Sequence, residues 1–233
     1  LETQEGSALV VSLGNPDLKP TLSNNLDASV EYYFNKMGLL SASVFYKDLK
    51  DYNYTLRSTG TYIGQAATLV TPENADGTMS GVEFAWQQQF TSLPGWMSGF
   101  GVFANLTLVD AEIDVGRNYA GRSNFPLPGQ SETVSNLAVF YEKGPISIRL
   151  SYTDRGDYLN EINAEDGELD LYWEGRDQLD LTANYELNKN VEMFVEAKNL
   201  TNSAGIRYYG NRSRVYEYEK FGYSVFVGAR IKL

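Results

Sequence analysis

The last eleven residues of the chain alternate between apolar and polar side chains up to the carboxyl terminus. One face carries Tyr223, Val225, Val227, Ala229, Ile231 and Leu233, and the other carries Ser224, Gly228, Arg230 and Lys232. A repeat of two residues is that of a β-strand, whose successive side chains point to opposite faces. In a membrane β-barrel, lipid covers one face of each strand and a polar lumen covers the other. This segment therefore predicts a transmembrane strand.

The same alternation recurs in eight earlier segments, which brings the expected number of strands to about nine. The segments are residues 26–34, 40–47, 82–90, 100–108, 136–141, 146–153, 178–187 and 192–198. Most are close to the roughly 9–11 residues of a tilted membrane strand. A soluble β-sandwich alternates in the same way and is the alternative fold. Strand length and uneven connections favour an all-β, transmembrane antiparallel β-barrel.

Short and long connections alternate along the chain. The short ones cover residues 35–38, 91–98, 142–145 and 188–190, and the long ones cover 52–79, 111–132, 154–176 and 202–220. Outer-membrane barrels have short periplasmic turns and long extracellular loops, so the terminal strand is expected to end in the periplasm. Bacterial barrels have even strand numbers, and an open sheet edge is costly in lipid. Residues 1–233 are therefore expected to be part of one larger barrel domain.

Composition removes several other classes of protein. Although 42% of the residues are hydrophobic, no run approaches the roughly 18 apolar residues of a membrane-spanning helix. The chain has no Cys and no His, which removes thiolate metal sites and the commonest general base. A net charge of −11 argues against a nucleic-acid partner. Residues 1–5 lack the features of an export signal, so either a signal was cleaved or the chain is an internal fragment.

Four segments resemble the carboxy-terminal half of a TonB-dependent outer-membrane receptor. They are Gly14–Pro20, similar to the family's N-P-x-L-K-P; Val44–Asp51, similar to F-Y-K-D-I-x-D; Gly81–Phe84; and Lys198–Asn202, similar to N-L-T-N. The resemblance implies that the chain forms about the last nine strands of a 22-stranded barrel. It also implies a plug domain, a TonB box and earlier strands outside this segment. The family usually ends in Phe, whereas this chain ends in Leu233.

The resemblance further implies a nutrient importer, not an enzyme, in the outer membrane of a Gram-negative bacterium. The expected partners are outer-membrane lipid, the TonB energy-coupling complex through the missing amino-terminal region, and the barrel-assembly machinery through the terminal strand. No cofactor is implied. Without His, a Ser-His-Asp arrangement is impossible in this segment. A passive porin or a surface adhesion barrel is the alternative of another class.

Finer sequence features resemble receptors of bacteria that scavenge plant and algal glycans. These features are residues 84–90, 93–95, 99–105, 127–129 and 140–144. In that branch of the family the imported ligand is often an oligosaccharide, which is the ligand we expect here. A ferric siderophore is the alternative ligand.

The long connections are rich in aromatic residues, which stack on sugar rings and on planar siderophores. The residues expected to bind ligand are Tyr158, Tyr172, Trp173, Tyr208 and Tyr209. For any single tyrosine, an interfacial belt or packing within the connection is the alternative role.

Charged residues also concentrate in the long connections. Residues 154–177 are acidic, and acidic loops can hold Ca²⁺, although no EF-hand spacing is present and a solvated loop is the simpler interpretation. Arginines could meet an anionic ligand or a lipid phosphate, and the candidates are Arg57, Arg117, Arg122, Arg207, Arg212 and Arg214. No metal-ligand residues are proposed.

Overall fold

The computed structural model describes residues 2–5, 8–34 and 37–232, and this part of the chain is almost entirely β-structure. Its strands are β1 (Glu2–Glu5), β2 (Ala8–Ser12), β3 (Leu22–Phe34), β4 (Gly38–Tyr62), β5 (Gln65–Gln89), β6 (Phe100–Tyr119), β7 (Arg122–Pro126), β8 (Thr133–Lys143), β9 (Ile146–Arg155), β10 (Tyr158–Asn163), β11 (Leu171–Trp173), β12 (Arg176–Asn188), β13 (Val191–Lys198), β14 (Gly205–Tyr209), β15 (Val215–Glu219) and β16 (Ser224–Ile231). Two short 3-10 helices cover Gly95–Gly99 and Gly167–Leu169. No helix in the described ranges is long and apolar enough to cross a membrane.

Nine of the strands form one continuous antiparallel wall in the order β3-β4-β5-β6-β8-β9-β12-β13-β16. The all-β barrel fold expected from the sequence is therefore confirmed, and the wall has the expected nine strands. Short turns join the strands at one end, which we call the inner end. The long connections lie at the other, or outer, end. The turn at Asn35–Lys36 and the terminal Leu233 lie outside the described residues.

The wall has one apolar face that no other part of the described chain covers. On β16, Val225, Val227 and Ile231 expose 53%, 70% and 68% of their surface. Arg230 projects from the opposite face, where it forms ion pairs with Glu192 and Glu196. We call these the lipid face and the lumen face. The phase expected from the alternation is confirmed for these residues, since Val225, Val227 and Ile231 lie on one face and Arg230 on the other.

Phenylalanines on the lumen face are explained by glycines on the neighbouring strands. Phe45 lies opposite Gly81, Phe140 opposite Gly101, and Phe194 opposite Gly228. A Cβ atom at any of these glycines would overlap the phenylalanine ring. Each glycine thus lets a ring lie flat on the adjacent strand, which restores the packing that a glycine in a strand otherwise loses.

The long connections are mostly strand, which corrects the expectation of loops at these positions. β4 and β5 continue as a regular hairpin whose turn is at Ile63–Gly64, in place of a loop over 52–79. The other three long connections contain β7, β10 and β11, and β14 and β15, respectively. The sequence alternation continues less clearly here because these strands pair with distant strands and bury both polar and apolar side chains.

A second sheet forms at the outer end from these added strands. On the outer side of a bulge at Lys50–Asp51, the free edge of β4 pairs in parallel with β10. The sheet then extends from β10 to β11, β14 and β15 in that order. On the other side of the hairpin, β2 pairs in parallel with β5. We call the strands β4, β10, β11, β14 and β15 in this region the outer sheet.

An apolar core supports the outer sheet. It includes Tyr54 and Leu56 of β4, Ile113 of β6, and Leu159 and Ile162 of β10, all buried. Leu108 and Ile113 both belong to β6, and Leu108 lies on the lipid face. Side chains an odd number of positions apart on one strand point to opposite faces, so Ile113 and the core around it lie on the lumen side of the wall. The connection between β9 and β12 therefore folds inward past β8, β6 and β5 to reach β4.

Two of the family-like segments hold connections against this outer region. In Gly14–Pro20, the Asn15 amide donates to the Pro72 carbonyl (3.0 Å), and the backbone N–H of Lys19 donates to Asn74 (2.8 Å). In Lys198–Asn202, buried Asn199 has a φ of 57° and donates to the carbonyl of Gly222 (2.8 Å). Asn tolerates this left-handed conformation better than most residues do, which explains its position in the motif.

The two faces predict opposite effects of the same substitution. Val227→Arg places a charge in lipid and is expected to cost about 2–4 kcal/mol near the bilayer midplane. Phe226→Arg is the matched control, because Phe226 projects to the lumen face. The folded fraction of the full-length receptor in lipid vesicles, measured by heat-modifiable mobility on a gel, should fall for the first variant and not for the second. Equal losses would contradict the assignment of faces.

Candidate ligand-binding site

The five aromatic residues expected to bind ligand lie on strands of the outer sheet, not on loop tips. Tyr158 begins β10, Tyr172 and Trp173 belong to β11, and Tyr208 and Tyr209 belong to β14. Opposed residues of antiparallel strands share a face. Leu159, Tyr172 and Tyr208 form one row across the three strands, and Tyr158, Trp173 and Arg207 form the next row on the opposite face. The five residues are therefore divided between two faces.

Tyr172 and Tyr208 form a stacked pair on the face that packs toward the core. Their ring centroids are 5.5 Å apart and the planes differ by 10°. Tyr208 is buried, and its hydroxyl donates to Oδ2 of Asp157 (2.6 Å). Burial, and then the hydrogen bond to Asp157, raise the pKa of Tyr208. The phenol stays protonated at neutral pH and remains a donor.

The Asp157 carboxylate links connection 154–176 to connection 202–220. It accepts hydrogen bonds from the backbone N–H of Gly175 (2.6 Å), from Tyr208, and from two nitrogens of Arg212 (2.7 and 3.0 Å). Burial by itself raises the pKa of Asp157, but the hydrogen bonds from Arg212, Tyr208 and Gly175 outweigh it and lower the pKa. Asp157 is therefore ionised and holds the Tyr208 ring in a fixed orientation.

A cavity of about 280 Å³ lies beside this carboxylate. Its lining consists of Pro126, Gln130, Glu132, Thr133, Gly156, Asp157, Tyr158, Leu159, Tyr172 and Tyr208. Three of the five expected residues thus meet at one cavity. None of the described residues lining it is basic. The lining offers aromatic rings together with carboxylate and amide oxygens, which accept hydrogen bonds from hydroxyl groups.

Trp173 and Tyr209 do not line the cavity, although Trp173 lies directly opposite Tyr158, which does. The Arg207 guanidinium lies over the Trp173 ring at 5.3 Å and over the Tyr216 ring at 4.9 Å. The Tyr209 hydroxyl accepts a hydrogen bond from Arg57 (2.9 Å). These residues form a packed arginine–aromatic cluster, so part of the expected site serves to hold the outer sheet together.

Arginines from the other three long connections pair with five of the eight acidic residues of connection 154–176. Arg57 pairs with Glu161 (3.1 Å), Arg122 with Asp170, Arg212 with Asp157 and Glu174, and Arg214 with Glu168 (3.0 Å). Four of the six arginines considered for an anionic ligand therefore bind carboxylates of the protein itself. A fifth, Arg207, pairs with Glu217. Within the described ranges, no group of three acidic side chains is arranged to hold a metal ion.

Sequence reasoning missed four polar residues of the cavity, Gln130, Glu132, Thr133 and Asp157. Gln130 and Glu132 were assigned to a long loop and Asp157 to a general acidic stretch. A carboxylate just before a strand that begins with Tyr is too common a pattern to single out. Their proximity depends on the inward fold of connection 154–176, which no local pattern specifies.

Comparison with known proteins assigns the chain to a family. The sequence model of the family described as TonB dependent receptor-like, beta-barrel, matches residues 3–200. The chain therefore belongs to the TonB-dependent receptor-like β-barrel family. No curated protein matches the sequence.

Several solved structures have the same fold. The ferric-catecholate import receptor Fiu of Escherichia coli K12 is 18% identical, with 93% of this chain and 28% of that chain covered and a TM-score of 0.59. The copper transporter OprC is 16% identical, with 94% of this chain and 31% of that chain covered and a TM-score of 0.64. The siderophore receptor PiuA of Acinetobacter baumannii is 14% identical, with 91% of this chain and 28% of that chain covered and a TM-score of 0.62. This chain spans less than a third of their length. At these identities the likeness establishes the fold of the wall.

The buried ion pair between Arg122 and Asp170 predicts a strong local effect. Asp170 is 2% exposed and also accepts the backbone N–H of Asn163 (2.8 Å). Arg122→Ala removes its charge partner and is expected to destabilise the outer sheet by about 3 kcal/mol. Arg214→Ala removes an exposed pair and should cost less than about 1 kcal/mol. Hydrogen exchange of residues 158–173 in the full-length receptor measures both, and equal protection in the two variants would contradict the prediction.

The lowered pKa of Asp157 predicts a pH dependence. A carboxyl group with a lowered pKa in the folded state stabilises the fold above its unfolded pKa of about 3.9, and this stabilisation is lost as pH falls through the folded value. The protection factors of β14 and β15, corrected for the intrinsic exchange rate at each pH, should therefore fall only below about pH 4. In Asp157→Asn the hairpin should already be less protected at neutral pH, and its extra loss on acidification should be smaller. The same acid response in both proteins would assign the effect to other carboxylates.

Proposed function

We propose that the chain is a carboxy-terminal wall segment of a TonB-dependent receptor that imports an oligosaccharide across the outer membrane of a Gram-negative bacterium. Membership of the receptor family and the exposed lipid face support the membrane location. The outer end, with the outer sheet, faces the medium, and the inner end faces the periplasm. Energy would come from the TonB complex through a region outside these residues.

The cavity beside Asp157 is the observation that carries the choice of ligand. The rings of Tyr158 and Tyr172 offer apolar surface, while Gln130 and Glu132 offer acceptor oxygens. This combination suits a neutral ligand with many hydroxyl groups, because rings stack on sugar faces and hydroxyls donate to carboxylates. The cavity is close to the lower limit of roughly 300–1,000 Å³ for ligand pockets. It would accept a small part of a longer glycan.

A ferric siderophore is the second candidate, since several of the solved structures with this fold are named as receptors for such ligands. The charge of the cavity weighs against an anionic ferric chelate. Its lining includes two carboxylates, and the nearby Arg212 is already paired with Asp157. Because Arg212 offsets the charge of Asp157, it is the negative charge of Glu132 that would repel an anionic ligand.

Calorimetry on the full-length purified receptor separates these candidates. The probes are neutral xylo-oligosaccharides and maltodextrins, acidic oligogalacturonides, and ferric enterobactin. We expect binding of a neutral oligosaccharide and none of the acidic one. Binding of ferric enterobactin alone would overturn the glycan assignment and support the siderophore receptor.

Transport distinguishes an energised importer from the other classes of barrel. Uptake of the bound oligosaccharide by whole cells should stop when a protonophore collapses the proton gradient, while binding at the cell surface remains. A passive porin would continue to transport the sugar. An adhesion barrel would bind it without any uptake.

Tyr158→Ala tests the cavity directly. Tyr158 lines the cavity but is not part of the Tyr172–Tyr208 stack. Loss of its contact with a sugar ring removes about 0.5–1.5 kcal/mol, which weakens binding roughly twofold to tenfold. Tyr218→Ala is the matched control, because Tyr218 is exposed on β15 and does not line the cavity. Trp173→Ala reports on the arginine–aromatic cluster, because Trp173 does not line the cavity. If Trp173→Ala weakens binding and Tyr158→Ala does not, the ligand lies on the arginine–aromatic cluster and the cavity is wrong.

A further inference from the structure

The turn between β5 and β6 differs from the other turns that are fully described at the inner end. It covers residues 90–99, whereas only Gly144–Pro145 joins β8 to β9 and only Lys189–Asn190 joins β12 to β13. The long turn exposes three apolar side chains, Leu93, Trp96 and Met97, and Trp96 exposes 66% of its surface. A turn that only reverses the chain in water does not need them.

The ring of Trp96 continues the lipid face of the wall. It packs edge to face on Phe100, with centroids 5.7 Å apart, and Phe100 packs in the same way on Tyr141 at 5.0 Å. Phe100 lies opposite Tyr141, and the same face carries Val139 and Leu137, both exposed. The three rings thus form a row that begins on the lipid face and extends beyond the strand ends.

A lysine fixes the turn in this position. The Lys143 ammonium, at the end of β8, donates to the carbonyl of Gly95 and to the hydroxyl of Ser98 (2.8 Å). A Cβ atom at Gly99 would come within 2.8 Å of both the Lys143 Cβ and the Tyr141 ring. Glycine at this position therefore allows β8 to hold the turn close, with Trp96 beside Phe100. The positive charge stays at the same level as the aromatic row.

We propose that residues 93–97 form a membrane anchor that inserts into the interface of the periplasmic leaflet, with a phospholipid surface as its partner. Continuity with the lipid face supports this occupant. Trp and Tyr favour the headgroup region, because an apolar ring can lie against acyl chains while its polar group stays hydrated. A lysine at this depth can meet lipid phosphates. A periplasmic protein docked on Trp96 is the competing occupant.

Spin labelling of the full-length receptor in phospholipid nanodiscs tests the anchor. The label is attached at Met97→Cys, and the control label at Lys189→Cys in the short turn at the same end. Collision with oxygen reports the lipid phase, and collision with a water-soluble nickel chelate reports the aqueous phase. We expect the label at position 97 to be several-fold less accessible to nickel and more accessible to oxygen than the label at 189. Equal accessibility at the two positions would overturn the proposal.

A second substitution separates insertion from folding. In the Met97→Cys background, Trp96→Ser should raise nickel accessibility several-fold, and Trp96→Tyr should restore most of the protection. Heat-modifiable mobility confirms that each variant is folded, and Leu93→Cys carries the same test if Met97→Cys does not fold. Protection that arises only after periplasmic extract is added would overturn the lipid assignment in favour of a protein partner.

Discussion

The pairing of the strands in the wall depends on the absence of water on their lipid side. In lipid, each backbone N–H and C=O group must find its partner in a neighbouring strand, because an unpaired group costs several kcal/mol. The nine antiparallel strands satisfy this requirement between β3 and β16. Pairing fixes the register, and the register fixes which side chains face lipid. The exposure of Val227 and the ion pairs of Arg230 on the opposite face follow from the same constraint.

Beyond the strands of the wall, a different physical principle organises the chain. The outer sheet is held by an apolar core and by ion pairs, because water can now compete for every backbone group. Exposed pairs such as Arg214–Glu168 contribute little, but Asp170 is buried and would be costly without Arg122. The pairs of Arg57, Arg122, Arg212 and Arg214 each join connection 154–176 to another connection. The ion pairs thus determine which connections associate, and the core supplies most of the stability.

The sequence predicts the wall much better than the site. The period of two identifies each strand of the wall because each strand separates lipid from lumen along its length. The pairing of Ile162 with Leu56 has no such signal, since it joins residues far apart in sequence through a ladder of two pairs. Acidic residues in 154–176 and arginines elsewhere are both visible in the sequence. Their mutual pairing is not visible, and so a ligand or a cation was the natural partner to consider.

Aromatic residues illustrate why composition alone does not define a function here. Phe194 lies over Gly228 on the lumen face, Tyr172 stacks on Tyr208 beside the cavity, and Trp96 extends the lipid face. The three contacts differ as much as their surroundings do: Phe194 covers a glycine, Tyr172 lies parallel to Tyr208, and Trp96 meets Phe100 edge to face. A ring opposite a glycine completes a strand pair, a ring beside a fixed carboxylate has a polar neighbour, and a ring beyond the strand ends meets the membrane interface. Register and neighbours therefore decide the role of each ring. That is why Tyr158 and Trp173, on the same face and directly opposed, carry different expectations for ligand binding.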